Sequence, residues 1–210
     1  RANADYDTNG PHRTARVASS VVNETTGRLV EFTTVFPSDD GVAVAPTAAV
    51  CPIVVLSHGF LLRGENYISY AVRLASHGFI VGLPTYRESI LNIDHSALAT
   101  DLIGVIDYFA EANASEGSPF YERIDMSKLA LMGHSLGGKI SLLVAAKDGR
   151  VAACALLDPV DSAPFGDDDG DYVRFPSVTP ELMPEITAPL LLIGAELGGK
   201  PVVVLGCAPP

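Results

Sequence analysis

Basic residues are scarce in this 210-residue chain: Lys and Arg number 14 against 25 Asp and Glu, a formal net charge of −11. A surface of that sign repels phosphate backbones and anionic headgroups, so nucleic acid is not expected as a partner. Long apolar runs are missing too. Those present, such as Ile53–Leu56 and Leu190–Ile193, are strand-sized and far short of the roughly 20 residues a spanning helix requires, so no membrane span is expected. Cysteine occurs only at Cys51, Cys154 and Cys207, too few for a disulfide scaffold and too far apart for a zinc site. Cys154 falls inside the apolar run Val151–Leu157, where a buried inert thiol is expected; Cys51 and Cys207 are then the one pair that could bridge. The chain opens Arg1-Ala2-Asn3 without a Met or a signal peptide. The expectation is a processed protein, secreted or organellar rather than cytoplasmic.

What is abundant is apolar: hydrophobic residues make up 48% and charged residues 19%, enough to bury a large core within a single domain over 1–210. Thr14–Val22 and Leu29–Phe36 alternate and are rich in β-branched residues, with turn chemistry in 23–27, and predict an antiparallel pair. Pro52–Ser57 and Phe79–Leu83 are continuous apolar runs, the pattern of strands buried on both faces, and Lys128–Met132, Val151–Leu157 and Leu190–Gly194 are read as further strands of the same sheet. Pro84 is expected to stop the second of these. Helical spacing lies between them: Glu65–Ser76, a stretch with Leu98, Leu102, Ile106 and Phe109 capped by Asp94 or Ser96, and Leu136–Ala146. Such alternation predicts an α/β fold, a mostly parallel sheet with helices on both faces.

Gly133-His-Ser-Leu-Gly137 follows a buried strand and opens a helix, the context required for a G-x-S-x-G nucleophile elbow. A sharp strand-to-helix turn strains its central residue, so its neighbours must be small, and Ser135 would project its hydroxyl above the carboxyl edge of the sheet. The same residues also read Gly133-x-x-x-x-Gly138-Lys139, a phosphate-loop pattern that fails at Ile140, where a metal-binding hydroxyl belongs. An acyl-transfer site needs two backbone N–H groups for its oxyanion. Leu136, after the nucleophile, and Phe60, after the strand ending Ser57-His58-Gly59, are the expected pair. His58 is expected to hold this loop rather than act as base. The acid follows the nucleophile in chain order: Asp158, in Leu157-Asp-Pro-Val160, is preferred, with Asp161 and Glu196 as alternatives. Asp167, Asp169 and Asp171 could suggest calcium, but Tyr172 stands where an EF-hand needs glycine, and a solvated acidic loop is expected. Leu61, Leu62 and His134 are expected to line a pocket, Leu61, Leu62 and Leu136 making it apolar. None of the histidines (His12, His58, His77, His95, His134) follows Asp158. The base is therefore expected beyond Pro210, with a final strand and helix.

His58-Gly-Phe-Leu-Leu62, Leu74-Ala-Ser-His-Gly-Phe-Ile-Val81, Gly133-His-Ser-Leu-Gly-Gly138, Leu157-Asp-Pro-Val160 and Gly194-Ala-Glu-Leu-Gly198 with Cys207-Ala-Pro209 resemble the chlorophyllase family of the α/β-hydrolase fold. The resemblance spans about Pro52–Pro209. It implies an ester hydrolase with Ser135 and Asp158 in its triad, no cofactor and no metal, acting as a monomer on a small lipophilic ester, with chlorophyll cleaved to chlorophyllide and phytol. Tyr6–Arg16, with Gly10-Pro11, and Leu74–Phe79 are similar instead to secreted cutinase-like polyester hydrolases, which implies polyester or triglyceride as the alternative substrate. A non-catalytic binding module on the same scaffold is the alternative of another class.

Overall fold

The apolar runs assemble side by side into one sheet. The computed structural model describes residues 7–87, 92–162 and 171–195. Within them, β1 (Thr14–Val22), β2 (Leu29–Pro37), β3 (Cys51–Ser57), β4 (Ile80–Thr85), β5 (Ile124–His134), β6 (Val151–Leu157) and β7 (Leu190–Ile193) form a 7-stranded sheet in the order β1-β2-β4-β3-β5-β6-β7. β2 pairs antiparallel with β1 and β4, and the remaining neighbours are parallel. Helices α1 (Ile68–Ser76), α2 (His95–Ala114) and α3 (Leu136–Ala145) supply the crossovers. This is the α/β-hydrolase architecture.

Adjacent residues of a strand point to opposite faces, and β3 sorts its side chains accordingly. Ile53 and Val55 join the core with Leu98, Leu102 and Phe109 of α2 and Ile140 and Leu143 of α3, while Val54 and Leu56 pack with Ala71 and Ala75 of α1. Helices therefore cover both faces. Asp94 caps α2, its carboxylate accepting the Ala97 N–H at 2.8 Å. Further along α2, buried Asp101 accepts Arg28 Nε at 3.0 Å and Thr26 Oγ1 at 2.8 Å, pinning the β1–β2 turn to the helix.

Several boundaries differ from expectation, the largest difference being at β5, which opens at Ile124 rather than Lys128. The first helix opens as a 3₁₀ turn over Gly64–Tyr67 before α1 begins. β4 does not stop at Pro84 but runs through it to Thr85, because β3 pairs only with Ile80–Gly82. At Pro84 the strand has a neighbour on one side alone, the edge-like position in which proline is tolerated. Cys51 and Cys154 are buried free thiols, Cys51 lying 3.2 Å from the Ala49 carbonyl. Cys207, Glu196, Asp167 and Asp169 lie outside the described residues. No described helix is long and apolar enough to cross a membrane.

Candidate active site

β5 ends at His134 and α3 begins at Leu136, so the whole reversal falls on Ser135. It sits at φ 53°, ψ −120°, a conformation that a side chain adopts only where surrounding contacts hold it. Those contacts are present. Ser135 N–H donates to the Leu157 carbonyl at 3.0 Å, and its own carbonyl accepts Gly138 N–H at 2.9 Å and Val160 N–H at 3.3 Å. Gly137 must be glycine because a Cβ there would run into the Ser57 carbonyl oxygen, so the elbow is pressed against the end of β3. Leu136 is the first residue of α3, where backbone N–H groups lack helical partners and the helix dipole is positive. Its side chain is buried in the core.

The segment after β3 faces this turn. Gly59 carbonyl accepts Leu62 N–H at 3.0 Å and lies 2.8 Å from His58 Nδ1. Tyr86 N–H donates to His58 Nε2 at 3.0 Å, so the ring proton is on Nδ1 and points to Gly59. Burial pushes His58 below the ordinary imidazole range, and with both nitrogens engaged it holds the loop. Leu61, at φ 57°, turns the chain. Phe60, between Gly59 and Leu61, is half-buried against the core.

Next to the elbow lies an open cleft of about 540 Å³ lined by Leu62, Tyr67, Tyr70, His134, Asp158 and Ile193, among others. Leu62 and His134 line this cleft, whereas Leu61 lines only a second cleft, shared by Leu62 with Arg63 and Arg87. Asp158 follows β6 at φ 46° and aims into the main cleft, Oδ1 accepting the Ala195 N–H at 3.1 Å. Asp161 is elsewhere. It pairs with the buried Lys139 at 3.2 Å and accepts the N–H groups of Val178 and Thr179 at 2.9 and 2.7 Å, with the hydroxyls of Ser177 and Thr179. Burial alone would raise its pKa, but these donors more than offset that and hold it below the usual carboxylate range. Asp161 is a structural anchor, and Lys139, the lysine of the phosphate-loop pattern, is consumed by it. Sequence reasoning missed Tyr67, whose hydroxyl lies 3.1 Å from Gly59 N and 2.7 Å from His134 Nδ1; an isolated Tyr near the start of a helix carries no local signal. No cluster of three His, Cys, Asp or Glu that could hold a metal exists among the described residues.

The family model described as Chlorophyllase matches residues 22–210. Among known proteins, Chlorophyllase-2 of Arabidopsis thaliana is 29% identical over 173 residues, covering 76% of this chain and 51% of that protein. Chlorophyllase-1 of the same plant is 31% identical over 176 residues, covering 78% and 52%. Cutinase est1 of Thermobifida alba is 28% identical over 144 residues, covering 69% and 41%. The chain spans about half the length of the chlorophyllases it matches.

Proposed function

The chain belongs to the chlorophyllase family, and from that premise we propose that it is the core of a serine ester hydrolase acting on lipophilic esters. The observation that carries this is Ser135, held at φ 53° between β5 and α3, directly after His134, which lines a cleft together with Asp158. Ser135 Oγ attacks the ester carbonyl carbon and loses its proton to a histidine. As no histidine follows Asp158 in these residues, we assign that base to chain beyond Pro210, oriented by Asp158. The tetrahedral oxyanion is received by the N–H groups of Leu136 and Phe60; one such donor is worth about 10²–10³ in rate. The histidine returns its proton to the leaving alcohol, and water, deprotonated by the same histidine, releases the acid from Ser135.

Leu62, Leu157, Ile193 and the rings of the two tyrosines give the cleft apolar walls beside the polar groups of Asn66, His134 and Asp158, which favours a lipophilic ester. Within that class, family membership favours the phytyl ester of chlorophyll, cleaved to chlorophyllide and phytol. The similarity to Cutinase est1 favours polyester or triglyceride as the second reading. In the full-length protein, Ser135→Ala is expected to abolish turnover of p-nitrophenyl butyrate, and retained turnover overturns the serine assignment. Incubation with chlorophyll a, tributyrin and a polyester film separates the substrates: chlorophyllide release supports the first, and butyrate or monomer without chlorophyllide supports the second.

A further inference from the structure

We propose that Tyr67 is a positioning residue of this ester-hydrolase site, its hydroxyl coupling the loop that carries Phe60 to His134 beside the nucleophile; this rests on the function proposed above. Tyr67 ends the 3₁₀ turn before α1 and is 7% exposed. Its oxygen accepts the Gly59 N–H at 3.1 Å and stands 2.7 Å from His134 Nδ1. Burial pushes the phenol above its ordinary range, so the proton stays on oxygen. Were His134 protonated at Nδ1, two donors would converge on that oxygen and the phenolic proton would lose His134 as its acceptor, a less favourable arrangement. Tyr67 therefore donates to Nδ1, and His134 carries its proton on Nε2 in the wall of the cleft.

The consequence for the oxyanion site follows from peptide planarity. Gly59 C=O is gripped by Leu62 N–H and His58, and Phe60 N–H belongs to the same rigid unit, so its direction is set by that grip. Tyr67 holds the preceding N–H. It thereby fixes the approach of this loop to His134, an approach so close that a Cβ on Gly59 would lie 2.9 Å from His134 Nδ1. A donor misplaced by about 1 Å loses much of its effect on a transition state while leaving ground-state binding nearly untouched. Tyr67 is expected to act on kcat rather than KM.

The test is steady-state kinetics of the full-length protein on p-nitrophenyl butyrate, below the melting temperature of each variant. Tyr67→Phe, which keeps the ring and removes both hydrogen bonds, is expected to lower kcat about tenfold or more with KM within about twofold. Asn places an acceptor where Nδ1 stands and Gln places its amide where Nε2 stands. His134→Asn is therefore expected to recover most of the kcat lost in His134→Leu, and His134→Gln is not. Wild-type kcat in Tyr67→Phe beside an inactive Ser135→Ala overturns the coupling and leaves the hydrolase standing. Equal kcat in His134→Asn and His134→Leu overturns it even where Tyr67→Phe does not fold. Hydrolysis unaffected by Ser135→Ala overturns the underlying function, and the role of Tyr67 with it.

Discussion

Asp158 and Asp161 lie within one tight segment after β6, yet their surroundings give them different work. Asp158 stands at the cleft with Ala195 N–H on one oxygen, leaving carboxylate capacity to orient a base. Asp161 spends its oxygens on Lys139, Ser177, Val178 and Thr179. Asp158→Asn is accordingly expected to lower kcat of the full-length protein by at least about 10²-fold, since an amide cannot stabilise an imidazolium. Its urea midpoint is expected to stay close to that of the wild type. A variant with wild-type kcat would move the acid role elsewhere.

Between elements, the Lys139–Asp161 pair fastens the nucleophile helix α3 to the segment after β6 and to 177–179. Lys139 is only 1% exposed, so removing one partner strands a largely buried charge. Lys139→Met and Asp161→Asn are each expected to lower stability by about 3–5 kcal/mol. The double variant should lose less than the sum, by roughly 0.5–3 kcal/mol, because the two share one interaction. Urea denaturation of the four proteins measures this, and strict additivity would show that the pair is not coupled. The β1–β2 turn is tied to α2 by the same kind of contact, through Arg28 and Asp101.

For the whole molecule, the acid limit of stability is set by groups that folding keeps from their ordinary protonation. His95 is 2% exposed and packed edge-on against Phe175, and burial, with Lys139 nearby, pushes its pKa down to about 3. The unfolded chain takes up this proton near pH 6.5. Stability from His95 is thus fully present above pH 6.5 and is lost as pH falls towards 3, by up to about 1.4 kcal/mol per unit. Asp161, whose folded pKa is lowered, contributes stability that is present above its unfolded value of about 3.9 and lost below it. The protein is expected to be less stable at pH 5 than at pH 7, and His95→Leu is expected to narrow that gap. Chemical denaturation at the two pH values decides this; an unchanged gap would remove His95 as the cause.

By itself the sequence determined the strands, the crossover helices and the elbow, because periodicity and local sterics act between residues close along the chain. Thr14–Val22 and Val151–Leu157 need no distant partner to be recognised as strands, nor does a serine among glycines between strand and helix need one to be recognised as a turn. His58 is expected from sequence to hold its loop, and the contacts that do so, with Gly59 and Tyr86, are seen only in the structure. The tertiary structure alone decided that Asp161 belongs to Lys139 and Asp158 to the cleft, that β4 passes through Pro84, and that Tyr67 reaches both Gly59 and His134. Each of these depends on which atoms share a space once helices and sheet have packed. Side chains equal in chemistry and near in number are separated only there, by whether donors or open cleft meet their oxygens.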